Sequence, residues 1–253
     1  MTTAKWNCLY SCFMKKYVIP TIVLLGLVLV CALYTLYGSG HSNFVLKHNI
    51  SRQVQQVFEH IARKNIWGGG NETRSGLGSL LASTVSLREC LGKWIKEYNI
   101  SSIVDIPCGD ANWQRFVPGM DSVRYKGFDI STYVVDRARA KNPVKNMAFG
   151  LMDITSQIPP KADLIILRDF IQHLPLKLGK RALDNARISG AKWIGVSSYP
   201  LSSNRDIKIG DYYANNVQIS PFNVKNVVEI CDNYSGGEKK GHPGSKFLLI
   251  RNK

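Results

Sequence analysis

The chain has 253 residues, 45% of them hydrophobic and 20% charged, which excludes a disordered or low-complexity protein and allows one sizeable domain with a short appendage. Its net charge is +15. The lysines and arginines are scattered rather than run together, so the charge reads as a solvated surface and nucleic acid is not the expected partner.

In chain order, residues 1–16 form a short basic tail with Lys5, Lys15 and Lys16. Tyr17–Tyr37 is uncharged and apolar, and it has the length of about 20 residues that a spanning helix needs. Tyr17, Tyr34 and Tyr37 sit at its ends, where amphipathic rings favour the headgroup level. The positive flank predicts a cytosolic N-terminus and a luminal remainder. Lys47 and Arg52 weaken that bias from further away. A cleaved signal peptide is the competing reading, but its apolar core is usually only about 7–15 residues. Residues 38–50 are then a luminal stem, and 51–253 a luminal domain. A run this apolar excludes a soluble cytosolic chain.

Luminal exposure would suit four sequons, at Asn49, Asn71, Asn99 and Asn233, although Asn99 stands just before a predicted buried strand. None of the six cysteines has metal-ligand spacing, and no metal is expected. Cys8 and Cys12 are either lipidated or plain thiols. A luminal domain would allow Cys90 and Cys231 to pair as a disulfide, while Cys108 reads as a small packed residue.

Within the domain, Ser51–Lys64 has helical periodicity through Val54, Val57, Phe58 and Ile61. Trp67–Gly70 breaks it, a loop with Ser75 and Gly76 follows, and Leu80–Tyr98 is a second helix. Strands are predicted at Ser102–Ile106, Tyr125–Ile130, Met147–Met152, Ala162–Leu167, Trp193–Ser198 and Lys246–Arg251. Helices are predicted at Thr132–Lys141 and Leu176–Ile188. Trp113–Val117 reads as a helical turn, and Lys225–Asp232 fits either helix or strand. Alternation of this kind predicts an α/β fold, an open, mostly parallel sheet covered on both faces.

Such sheets bind ligands at the carboxyl ends of their strands. The first strand ends in Asp105, followed by a turn in which Gly109 lets backbone approach a ligand. The second ends in Asp129, at about the 20-residue spacing that suits a ribose. The third ends in Asp153, beside where an adenine would lie. Asp129 and Asp153 could instead cap the segments that follow them. Trp67 and Trp113 flank Gly-rich loops as packing residues or as ligand platforms.

Asp105-Ile-Pro-Cys-Gly-Asp-Ala-Asn-Trp113, with Asp129 and Asp153, resembles the class I S-adenosylmethionine-dependent methyltransferases. Pro107 and Ala111 stand where that family usually has glycine, in a variant that keeps Pro and Trp. The resemblance extends through Ile66–Gly68, Ser75–Ser79, Ala162–Ile165, Arg168-Asp169 with His173-Leu174, Gly210–Tyr212 and Pro221–Asn223, covering roughly residues 50–253. It implies a Rossmann-like fold and S-adenosyl-L-methionine as cofactor. Asp105 and Gly109 would lie under its methionine part, Asp129 would hold the ribose and Asp153 would meet the adenine amino group. Trp113, Ser75 and Gly76 would complete the pocket. Arg88 would pair with the carboxylate, unless it is only a surface residue.

An alcohol acceptor also needs a base. Asp169 and His173 are four residues apart, so on a helical turn the carboxylate would orient the imidazole, with His173 the leading base and Asp169 the second. His173 packing over the cofactor is the equal alternative. Asp211, Tyr212 and Asn223 are candidate acceptor contacts, although the same residues would suit a polar surface lid. The tail–anchor–stem–domain layout is similar to nematode Golgi methyltransferases that O-methylate fucose. That similarity implies a Golgi type II membrane protein acting on a glycan hydroxyl of a glycoprotein or glycolipid, with the fucose 2-O position as one option. Two rivals stand beside it: a luminal methyltransferase for a lipid or protein side chain, and a non-catalytic cofactor-binding scaffold. Oligomeric state is not legible.

Overall fold

The computed structural model describes residues 51–235 and 244–252. The tail, the predicted anchor Tyr17–Tyr37, the stem, Cys8, Cys12 and Asn49 lie outside the described residues. Among the described residues no helix is long and apolar enough to cross a membrane.

The described chain has four helices: α1 (51–64), α2 (Val85–Glu97), α3 (Thr132–Lys141) and α4 (Leu176–Ile188). Seven strands form one sheet: β1 (Ser102–Asp105), β2 (Arg124–Asp129), β3 (Met147–Leu151), β4 (Leu164–Leu167), β5 (Trp193–Ser198), β6 (Val227–Asp232) and β7 (Lys246–Arg251). Their order is β3-β2-β1-β4-β5-β7-β6. β1 to β5 pair in parallel, whereas β7 runs antiparallel between β5 and β6. The predicted mostly parallel sheet is therefore present, and Lys225–Asp232 resolves as strand. The chain builds outward from β1 to β3, then crosses back to lay β4 on the other side of β1. The carboxyl ends of β1 and β4 thus flank the switch point where such sheets bind ligands.

Burial explains the order. All four residues of β4 are buried, as expected of a central strand covered on both faces. On one face Leu87, Leu91, Trp94 and Ile95 of α2 pack with Ile103, Tyr125, Leu164, Ile166, Trp193, Phe247 and Leu249. The oppositely directed Val104, Ile165, Leu167, Leu248 and Ile250 are buried too. A Cys90–Cys231 disulfide ties α2 to β6, with Cα atoms 6.4 Å apart, and Cys108 is free and buried.

Two boundaries depart from expectation by two residues or more for a local reason. The helix predicted from Leu80 begins at Val85, after 3-10 turns at Leu77–Ser79 and Ala82–Thr84. Hydroxyls of Ser83 and Thr84 bond the carbonyls of Leu77 and Leu80, and Glu72 takes the Leu81 N–H, so these backbone groups are spent locally. β4 starts two residues late because Asp163 caps the Ser101 and Ser102 N–H groups instead of extending the strand.

The sequons also separate. Asn71 and Asn99 are exposed, so the approach of β1 does not hide Asn99. Asn233 is fully buried and hydrogen-bonded, with no room for a glycan on its amide.

Candidate functional site

A cavity of about 730 Å³, counting its open mouth, lies at the switch point. Asp105 closes its floor. Asp105 Oδ2 accepts from Tyr125 Oη at 2.7 Å and from Gln114 Nε2 at 2.8 Å, while Oδ1 is buried without a partner. Burial pushes its pKa up to about 6, against the lowering effect of the Tyr125 and Gln114 hydrogen bonds.

The turn after β1 then aims Asp129. Gly109 sits at φ +56°, and a Cβ there would collide with the Ser75 hydroxyl. Its N–H donates to Asp129 Oδ2 at 3.1 Å, and Ser131 N donates to Oδ1 at 2.9 Å. The Ile130 backbone N–H bears on the carboxylate as well, and these donors do not exhaust its roughly four acceptor positions. Burial pushes the pKa of Asp129 also up to about 6. Asp105, Gly109, Trp113 and Asp129 all line the cavity.

Asp110 clips the Trp67–Ser79 segment over this floor. It accepts from Thr73 Oγ1 at 2.6 Å, Arg74 N at 3.0 Å and Ser75 Oγ at 3.1 Å, and its N–H donates back to Ser75 Oγ. Burial would raise its pKa, but Lys141 at 2.8 Å and the other donors hold it below the usual carboxylate range. Ser75 lines the cavity. Gly76 lies behind the lining, where its missing Cβ lets the segment pack on Trp67. Phe58 and Ala62 of α1 supply apolar wall, and α1 is held down where Glu59 accepts from Ser131 Oγ and Tyr133 N.

Arg168, Asp169 and His173 line the side beyond β4. Asp169 sits at φ +49°, and only a short 3-10 turn, Ile171–His173, follows it. No helical face therefore joins Asp169 to His173, which corrects the predicted carboxylate–imidazole pair. His173 Nδ1 instead lies 3.0 Å from the Asp211 carbonyl oxygen, and its ring stacks on Trp67 at 4.4 Å. Asp169 pairs with Arg168 at 3.1 Å and accepts from Tyr234 Oη and Asn233 Nδ2, each at 2.7 Å. Burial works against the charge, but Arg168 and these donors hold its pKa below the ordinary value. A carboxylate so stabilised and so fully engaged is a poor general base, which corrects its second-base role.

Main-chain bonds from Gly210 N to His173 O and from Tyr213 N to Gln172 O fold the 199–226 segment back onto this turn. They bring Tyr212, 39% exposed, to 5.6 Å from the His173 ring. Asp211 contributes its carbonyl, while Asn223 is exposed at φ +48° and does not line the cavity. Two cofactor assignments are also displaced. Both Asp153 oxygens accept from Thr155 and Ser156, so it caps the turn after β3 and does not line the cavity. Arg88 donates to the Leu81 carbonyl, away from the cavity.

Sequence reasoning missed Arg74, Gln114 and the hub residue Asn233. Gln114 was reachable, since it follows Trp113 in the strand-end motif. Asn233 was hidden by its reading as a sequon. Among the described residues no cluster of three or more His, Cys, Asp or Glu side chains could hold a metal.

No protein-family model and no curated protein sequence matches the chain. Solved structures do. The magnesium protoporphyrin IX methyltransferase of Synechocystis PCC 6803 with bound SAH superposes with a TM-score of 0.55 at 15% identity, covering 80% of this chain and 99% of that one. The same enzyme with bound SAM gives 0.56 at 16% identity, covering 80% and 97%. The fold is that of the class I methyltransferases.

Proposed function

We propose that the chain is an S-adenosylmethionine-dependent O-methyltransferase. The observation that carries this reading is the pair of buried carboxylates, Asp105 and Asp129, at the switch point: both line the cavity, both are raised to about 6, and Asp105 keeps an unpartnered oxygen. Groups in that state fit a ligand rich in donors, such as ribose hydroxyls for Asp129 and an ammonium for Asp105. Trp113 and Phe58 offer apolar surface for the adenosyl part. When bound, S-adenosylmethionine supplies a methyl group on a cationic sulfur, open to in-line attack. The protein must hold an acceptor on that line and remove its proton. His173 is placed for the second task at the cavity edge: a carbonyl only accepts, so Nδ1 keeps its hydrogen and Nε2 carries the basic lone pair.

The acceptor is a glycan hydroxyl, with fucose as the leading sugar, and the enzyme works in the Golgi lumen as a single-pass membrane protein. This finer reading draws on the apolar segment Tyr17–Tyr37 and the family resemblance. The Cys90–Cys231 disulfide suits an oxidising compartment, and Tyr212 beside His173 offers a ring on which a sugar C–H face can stack.

Two measurements test it. The full chain should bind SAH, and Asp129→Ala should remove that binding; unimpaired binding by the variant sinks the ribose assignment. Mass spectrometry of glycans released from expressing and non-expressing cells should show added methyl groups on deoxyhexose. Identical spectra would reject the glycan acceptor while leaving the methyltransferase reading intact.

A further inference from the structure

The stretch 206–213 borders two cavities. At one end it meets the switch-point cavity, where Tyr213 N donates to Gln172 O and Gly210 N to His173 O. At the other end Asp206 Oδ1 accepts from Leu176 N at 2.7 Å. The stretch therefore runs antiparallel to 172–176, from the candidate base to the start of α4. There a second cavity of about 1300 Å³, counting its open mouth, opens between the first turns of α4 and the 199–226 segment. His173 edges the first cavity and Leu176 walls the second. Three extended residues span at most about 11 Å between their Cα atoms.

The walls of this groove are braced from within. Asn204 Nδ2 donates to the carbonyls of Asn216 and Ser220 at 2.9 and 2.8 Å, and its Oδ1 accepts from Asn216 N at 2.8 Å. On the α4 side a Cβ on Gly179 would stand 3.3 Å from the Phe222 ring, so its absence lets the 219–222 turn pack close against the helix. The groove is formed before any ligand enters, and no ordering of its walls opposes binding.

The lining selects a ligand chemistry. Leu176, Ile219 and Pro221 give it a half-buried apolar strip. Around the strip stand the hydroxyls of Ser202, Ser203 and Ser220 and the Lys177 ammonium, none with a side-chain hydrogen bond or ion pair among the described residues. Asp206 spends Oδ1 on Leu176 N and keeps Oδ2 for a ligand. Lys180 is neutralised by Asp184, so Lys177 and Asp206 leave the lining without net charge. Neither an anion nor a cation is favoured there. A neutral polyol is: its C–H faces cover the apolar strip, and its hydroxyls donate to Asp206, accept from Lys177 and do both with the serines. We propose that the groove is a second carbohydrate site, which holds sugars of the acceptor beyond the one methylated beside His173. This rests on the glycan reading and sharpens it: the enzyme selects a chain of sugars rather than a free monosaccharide.

Steady-state kinetics of the full chain with saturating SAM test this on two acceptors, methyl fucoside and a fucosylated N-glycan oligosaccharide. Wild type should show a KM for the oligosaccharide lower by about tenfold, the worth of two or three added hydrogen bonds. Lys177→Ala should raise the ratio of oligosaccharide to monosaccharide KM by about twofold to tenfold, the worth of one. Ser203→Trp fills the groove instead of removing a bond and should raise the ratio further. Methyl fucoside that is not turned over at all is the extreme of the same preference, and the substitutions are then read on the oligosaccharide KM with SAH affinity as the reference. Equal KM values for the two acceptors in wild type overturn the second site. So does a ratio that neither substitution moves, which includes an equal rise on both acceptors. If SAH binds and neither acceptor is methylated, the glycan reading itself falls and takes the groove with it.

Discussion

The His173 imidazole presents Nδ1 to the Asp211 carbonyl oxygen at 3.0 Å, and the Asp211 side chain itself is exposed. With that carbonyl accepting, Nδ1 carries the hydrogen. His173→Ala should keep SAH affinity and lower turnover by ~10²- to 10⁴-fold. Asp211→Ala preserves the carbonyl and should leave kcat unchanged. A fall in kcat for Asp211→Ala, measured beside KM, would mean that the side chain rather than the carbonyl supports the base. A rise in KM alone would mark Asp211 as an acceptor contact.

Asp105 and Asp129 carry a pH signature. Burial raises both from an ordinary 3.8 to about 6. A raised carboxyl contributes stability to the ligand-free fold that is fully present below about 3.8 and is lost as pH rises through about 6. Donors on a ligand favour the ionised forms and pull both values back down. SAH should therefore bind more tightly as pH rises from 5 to 7, with proton release in that window. Calorimetry in two buffers of different ionisation enthalpy measures the release, and Asp129→Asn should reduce it. Proton-neutral binding across the window would contradict this coupling.

Asp169 has the opposite sign. Arg168, Tyr234 and Asn233 hold its pKa below 3.8, so its stabilising effect is present above that value and is lost as pH falls further. Arg168 is 6% exposed, and Asp169→Asn would strand its charge, a change worth about 3–5 kcal/mol of folding stability. Urea midpoints at neutral pH should show that loss, and the gap between variant and wild type should narrow in acid. A variant within about 0.5 kcal/mol of wild type, the range of ordinary surface substitutions, would mean the pair is not a structural hub.

The strands were readable wherever burial is two-sided or alternating. Leu164–Leu167 can only be a covered central strand, and the next acidic strand end, Asp129, falls at cofactor spacing from the turn it faces. What was not readable depends on contacts between distant segments. Arg74 lies in a Gly/Ser-rich loop whose course is fixed only by Asp110, and no local periodicity announces that clip. Asp153 shares its strand-end position with Asp129, but Thr155 and Ser156 compete for its carboxylate, and local hydrogen bonds prevail. The predicted Asp169–His173 pair assumed helical spacing, and the left-handed backbone at Asp169 removes that geometry.

The three sequons whose asparagines are described divide by burial, which turns glycosylation into a test of compartment. Asn71 and Asn99 are exposed, whereas Asn233 is enclosed and donates to Asp169 Oδ1, Ser197 Oγ and Ser245 Oγ. A sugar on its amide nitrogen would displace those bonds and leave buried acceptors unpaired, at about 1–3 kcal/mol each. In a luminal chain, Asn71→Gln and Asn99→Gln should each remove one endoglycosidase-sensitive mass step. Asn233→Gln should remove none and should instead lower thermal stability, because the longer side chain cannot reproduce the contacts to Arg168 and Asp169. A full chain from secretory-pathway cells that carries no glycan at Asn71 or Asn99 would count against the luminal assignment. A glycan found on Asn233 of the active protein would contradict its place beneath the Arg168–Asp169 pair.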